Sequence, residues 1–154
     1  MSDILTSGQH SIEIDATPHA VWDIISDPAN QGKLSPECQR AEWDGDITEP
    51  TVGAQIRGFN KNGDFEWEGL ATVTAAERGS VWEIQIGAMD GQNTTTWRYD
   101  IDAADDGQSC SVTESFDAPI LKDDFFQQMD PPRHGLLMAN LETTLDNLKQ
   151  IAEA

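Results

Sequence analysis

Cysteine is scarce in this chain: Cys38 and Cys110 stand alone, in no metal-ligand or redox spacing. No HExxH, CxxC or other ligand pattern appears, so no metal is expected. A nucleophile elbow, a phosphate-binding glycine loop and a dinucleotide fingerprint are all missing, and with them the motifs that would announce a cofactor; none is expected. No apolar run approaches the length of a membrane span, which argues against membrane insertion. The N-terminal stretch MSDILTSGQHS has neither the basic start nor the apolar core of a secretory signal. A soluble, cytoplasmic protein is the expectation. Internal repeats, low-complexity tracts and linkers are also lacking, so residues 1–154 read as one domain, long enough to bury a proper core.

Basic residues are few as well. Nine Lys and Arg face 28 Asp and Glu, for a net charge of −19. Such a surface repels phosphate backbones and anionic headgroups, so nucleic acid and anionic membranes are not expected partners. The plain reading is a solvated acidic surface, and a salt-adapted host would also produce it. No exposed apolar stripe marks an interface with a protein partner.

What the chain does have is patterning. The run Thr95 to Phe116 (TTWRYDIDAADDGQSCSVTESF) alternates with period two, which puts one face of a β-hairpin inside and the other in water. Trp97, Tyr99, Ile101, Cys110, Val112, Glu114 and Phe116 share the inner face; Arg98 falls on the wet one. A two-residue Asp106-Gly107 loop sets Ile101 against Val112, Tyr99 against Glu114 and Trp97 against Phe116. One acid therefore lies on an apolar face, opposite a phenol.

The remaining elements follow from shorter signals. His10 to Asp15 alternates as a first strand. Thr17-Pro18 is an N-cap with a first-turn proline, before Val21, Ile24 and Ile25 at helical spacing. Asp27-Pro28 ends that helix and caps a second through about Leu34. Strands are expected at Cys38 to Trp43, Gln55 to Lys61, Phe65 to Glu77 and Ser80 to Gly87, with turns at Asn62-Gly63 and Arg78-Gly79. After Asp130-Pro131, Leu137, Leu141, Leu145, Leu148 and Ala152 form the apolar stripe of a long helix. The fold class is α+β: a curved antiparallel sheet wrapped around the C-terminal helix, with two short helices after strand one, in the helix-grip arrangement.

At this level the chain resembles the SRPBCC superfamily (START-like, birch-pollen-allergen-like), and within it the polyketide cyclase/dehydrase-type proteins. The pieces that carry the likeness are ATPHAVWDIISDP, VGAQIRGFN, FEWEGLATVTAAERGSVWEI, the hairpin above and the closing LETTLDNLKQIAE, which together span nearly the whole chain. Relatives commonly carry an aromatic residue shortly before the Ser-Pro that opens strand two; here Lys33-Leu34 precedes Ser35-Pro36. The resemblance implies an internal cavity for a hydrophobic or amphipathic ligand, in a superfamily that includes cyclases, lipid carriers, hormone receptors and chaperone co-factors. The TESF segment is similar to the matching strand of plant abscisic-acid receptors, where the corresponding glutamate faces the pocket.

Three functions compete. In the first, the protein binds a lipid-, quinone- or polyketide-like molecule between sheet and helix. Phe59, Trp67, Trp97, Tyr99, Glu114, Phe116, Met129 and His134 would contact it, because aromatic walls with a few polar groups describe a small-molecule cavity. In the second, the chain is a cyclase or dehydratase with Glu114 and Tyr99 as catalytic candidates and His134 nearby. The third is a protein-interaction module like the chaperone activators of this fold. Trp22 and Trp82 are read as core, His10 as the start of a strand, His19 as exposed, and Arg57 as undecided between the faces.

Overall fold

In the computed structural model, which describes residues 4–87 and 93–154, seven strands form one antiparallel sheet in the order β1-β7-β6-β5-β4-β3-β2. The strands are β1 (Ser7–Ile14), β2 (Cys38–Asp44), β3 (Gln55–Asn62), β4 (Phe65–Glu77), β5 (Val81–Gly87), β6 (Asn93–Ala103) and β7 (Cys110–Asp117). Between β1 and β2 run α1 (Pro18–Ile25), a 3-10 turn (Pro28–Asn30) and α2 (Gln31–Leu34). After β7 come a 3-10 turn (Pro119–Lys122), the short α3 (Asp124–Gln127) and the long α4 (Arg133–Glu153). Of the N-terminal stretch read for a signal, residues 1–3 lie outside the described residues.

The local chemistry explains the boundaries. The Thr17 hydroxyl accepts a hydrogen bond from Ala20 N at 3.2 Å, and Pro18 fills the first helical position, where no N–H is needed. Asp27 likewise caps the following turn through Ala29 N at 3.0 Å. Irregularities at Cys38/Arg40, Val73/Ala75 and Ile86/Gly87 interrupt the ladders and bend the strands, as bulges do. The sheet grips α4, which packs on β1 and β7 and against α1 and α2. Leu137, Leu141, Leu145 and Leu148 are buried along its inner stripe, joined by Thr144.

Three expectations need correction. The hairpin loop has four residues, not two. Gly107 N donates to Ala104 O, and only Gly107 has positive φ (+69°) there. A two-residue type I′ loop would also need positive φ at Asp106, which an aspartate adopts reluctantly. Asp106 instead accepts from Gln108 N through its side chain at 2.9 Å. Both loops share the same midpoint, so the register is unchanged: Tyr99 pairs with Glu114, Trp97 with Phe116 and Ile101 with Val112. Strand β1 begins earlier than its alternation suggests, because Ser7 to Gln9 find partners in Asp117 to Ser115 of β7. And α4 starts at Arg133, beyond the Pro131-Pro132 pair, with no side-chain cap.

The outer face of the sheet is charged and paired. Arg98 reaches Asp100 and Glu83 at 3.0 Å each, and Arg57 lies between Asp44 and Glu68, which places Arg57 on the wet side. Trp22 and Trp82 pack edge to face at 5.7 Å in the core, and Trp22 Nε1 donates to Val81 O.

Candidate functional site

The inner face of the sheet is not uniformly filled. Along β4, Val73 and Ala71 are buried, Gly69 and Trp67 are half-exposed, and Phe65 is open to solvent. Along β5, buried Trp82 gives way to half-exposed Ile84 and Ile86. On β6, Ile101 and Tyr99 are buried and Trp97 is half-exposed. Burial fades in one direction on three neighbouring strands. On β3 and β4 the thinning has a simple composition: Gly58 faces Gly69 directly across the ladder, with no side chain from either.

The apolar core divides accordingly. A large cluster holds Ile14, Val73, Trp82, Tyr99, Val112, Leu145 and Leu148 among others. A smaller one holds Phe116, Ala118, Leu121, Leu137 and Leu141, with Trp97, Phe126 and Met138 against it. On β7, Val112 belongs to the first and Phe116 to the second. Glu114 lies between them.

Glu114 is 4% exposed, and its Oε1 has no hydrogen-bond partner. Desolvation disfavours its charged form and pushes the carboxyl up to about 8, while a hydrogen bond from Tyr99 pulls it back down. The Tyr99 phenol is raised well above its ordinary range, first by burial and then by the charge and hydrogen bond of Glu114. At neutral pH the site therefore holds a protonated acid beside a protonated phenol, a pair able to donate hydrogen bonds and to exchange a proton. On the other side of β7, His10 of β1 is the direct cross-strand partner of Glu114. Tyr99, Glu114 and His10 form a row across three adjacent strands on the inner face.

His10 was missed by sequence reasoning, which read it only as the start of a strand. The usable signal was its spacing from Ile12 and Ile14, which puts it on the same face as them. The other candidates distribute as follows. Trp97 and Phe116 meet at 5.5 Å between ring centroids, and Phe116 meets the His134 ring at 5.5 Å. His134 does not reach Glu114: its Nε2 donates to Ser7 O at 2.8 Å and ties the start of α4 to β1. Trp67 stacks with Phe65 and sits beneath the Arg133 guanidinium, 5.7 Å from its ring centre. Phe59 belongs elsewhere. It alternates with buried Ile56 onto the outer face, and the Arg40 guanidinium lies 3.7 Å over its ring. Met129 is half-exposed in the turn between α3 and α4, and Phe125 is exposed.

A second feature escaped the sequence altogether. Arg133, in the first turn of α4, forks onto Glu37 just before β2, with distances of 2.5 and 2.7 Å. Both side chains are largely desolvated, at 15% and 12% exposed. The pair spans from helix to sheet at the end where burial fades. Beside it an open groove of about 340 Å³ runs past Leu5, Leu121, Phe126, Pro132, Arg133 and His134. Among the described residues, no cluster of three His, Cys, Asp or Glu side chains suits a metal ion, and no helix is long and apolar enough to cross a membrane.

Comparison with known proteins adds three findings. Residues 6–153 match the model of a family described as polyketide cyclase / dehydrase and lipid transport. No curated protein matches the sequence. Among solved structures, a polyketide cyclase-like protein from Corynebacterium glutamicum is 25% identical, with a TM-score of 0.64 over 96% of this chain and 91% of that one. A START superfamily protein from Mycobacterium smegmatis is 14% identical, with a TM-score of 0.73 over 96% and 97%. Norcoclaurine synthase from Thalictrum flavum, solved with dopamine and hydroxybenzaldehyde, is 16% identical, with a TM-score of 0.63 over 94% and 84%.

Proposed function

Since the chain belongs to the polyketide cyclase / dehydrase and lipid transport family, we propose that it holds a hydrophobic or amphipathic small molecule between the sheet and α4. The walls would be Trp67, Trp97 and Phe116, and the polar contacts Glu114 and Tyr99. The observation that carries this reading is the common loss of burial along β4, β5 and β6 at the end where these aromatics lie. A solid core would have filled that end with branched aliphatic side chains, because close packing stabilises the fold more than half-wet aromatics do. An apolar molecule placed there removes the same surface from water, at roughly 25 cal/mol per Å² of apolar area. Native mass spectrometry of freshly purified protein, followed by titration of lipids, quinones and polycyclic phenols against tryptophan fluorescence, tests the proposal. Failure of every such compound to bind would refute it.

The enzyme reading draws on a separate observation. A buried carboxyl poised near 8 beside a phenol suits general acid-base work at neutral pH. A relative of this fold, norcoclaurine synthase, is named as an enzyme. If this chain catalyses a cyclisation or dehydration, Glu114→Gln should abolish turnover while ligand binding survives. Unchanged turnover would remove Glu114 from that role.

A further inference from the structure

The row of polar side chains on the inner face specifies more than an apolar pocket. Glu114 Oε1 is a buried oxygen with an unfilled hydrogen-bonding valence, lying where the apolar core divides into two clusters. Such an atom is destabilising when left alone and is satisfied by a partner from outside the chain. We infer that the interior selects an otherwise apolar molecule carrying a neutral oxygen, a ketone carbonyl or a hydroxyl, which hydrogen-bonds Glu114, and that it rejects the corresponding carboxylates. The inference rests on the ligand-binding reading above and deepens it.

The surroundings of Glu114 support neutrality. From β6 it faces Tyr99, whose phenol stays protonated through the neutral range. From β1 it faces His10, half-buried at the edge of the row. On α4 the side chains buried toward the sheet are Leu137, Leu141, Thr144, Leu145 and Leu148, none of them titratable. Arginine is held elsewhere: Arg133, which points toward the open end, is committed to Glu37. A carboxylate entering here would meet a carboxyl that is already reluctant to ionise, and no unpaired guanidinium. A ketone would instead accept the proton that Glu114 carries at neutral pH, while a hydroxyl could both give and receive.

Four diphenyl compounds of closely similar shape separate the alternatives: diphenylmethane, benzophenone, benzhydrol and diphenylacetate. Binding to the whole protein is read by equilibrium dialysis at pH 6, 7 and 9. Benzophenone and benzhydrol should bind about two- to tenfold more tightly than diphenylmethane, the equivalent of one net hydrogen bond. Diphenylacetate should bind more weakly than all three. The ketone preference should fade between pH 7 and 9 as Glu114 ionises. Glu114→Leu should erase the difference in affinity between the oxygen compounds and diphenylmethane. Glu114→Gln, which keeps a neutral donor, should retain the preference and lose its pH dependence, and serves as the test if the leucine variant does not fold. If diphenylmethane binds but the oxygen compounds gain nothing, or diphenylacetate binds as tightly as benzophenone, the inference is overturned and the pocket stands. If none of the four binds, while lipids and quinones also fail, both fall together.

Discussion

Replacing Glu114 with glutamine should flatten the dependence of stability on pH. The carboxyl rises from its ordinary 4.5 to about 8 on folding, so between those values the folded chain holds a proton that the unfolded chain has released. Stability tied to this group is complete below about pH 4.5 and is lost as pH climbs through the folded value. Linkage sets the slope at about 1.4 kcal/mol per pH unit. By pH 7 the wild type has given up about 3 kcal/mol relative to its acid-side stability from this residue alone. Glutamine cannot ionise, so Glu114→Gln should gain on the wild type across that window by the same amount. For 154 residues, 3 kcal/mol corresponds to about 10 °C in Tm. Urea unfolding of both proteins at pH 5, 6, 7 and 8 measures the quantity directly. The unpartnered Oε1 or its amide replacement contributes a fixed offset, which cancels when slopes are compared. Two parallel curves would show that Glu114 ionises alike in the folded and unfolded chain, and the reading of it as a buried neutral acid would fail.

Other consequences are simpler to state. Tyr99 is the sole tyrosine, so near-ultraviolet absorbance during alkaline titration reads it alone; its ionisation should be delayed well past 10, and less so in Glu114→Gln, which removes the opposing charge. Arg133→Met should destabilise the fold by about 2 kcal/mol in urea unfolding by leaving the desolvated Glu37 carboxylate with the neutral Asn62 amide but no counter-ion, and adding Glu37→Gln should recover most of the loss. Gly8→Ala should lower Tm by about 3 °C, because the new methyl group collides with Met138 Sδ and crowds Phe116; an unchanged Tm would mean that the thioether moves aside freely.

Much of this geometry was legible from local signals. Period-two alternation and the Asp-Gly pair were enough to place Tyr99 against Glu114, because even the wrong loop length had the right midpoint. The Leu137, Leu141, Leu145 and Leu148 stripe identified the inward face of α4 for the same reason: its period is a property of one element. What escaped reading depends on where distant elements meet. Glu37 and Arg133 are 96 residues apart, and neither has a neighbour in sequence that announces the other. His134 sits near enough to the site to be a fair candidate, yet its direction is decided by the Ser7 carbonyl on a strand that begins earlier than expected. Phe59 was assigned by hydrophobicity where phase should have ruled: Ile56 is inside, so an odd step from it is outside.

The paired glycines carry the strongest argument that the open end is hollow by composition rather than by loose packing. At Gly8 a side chain would strike Met138 and crowd Phe116. Gly58 and Gly69 are different. Neither has positive φ, so the backbone does not demand glycine at either position. A Cβ at Gly58 would approach nothing nearer than 3.7 Å, and one at Gly69 nothing nearer than 3.6 Å, which is ordinary contact. Glycine inside a strand weakens it through backbone entropy and a missing side chain. Two such residues facing each other in the middle of a sheet therefore forgo stability that a valine pair would supply, and what they leave is space beside Trp67 on β4. Gly69→Val should accordingly hold or raise Tm while weakening ligand binding at least several-fold, both read on the same preparation. A variant that is destabilised would show that the neighbouring Ile86 cannot accommodate the branch. A variant that is stable and binds as well as wild type would show that the ligand lies elsewhere than against Trp67, and would leave the glycine pair without a function.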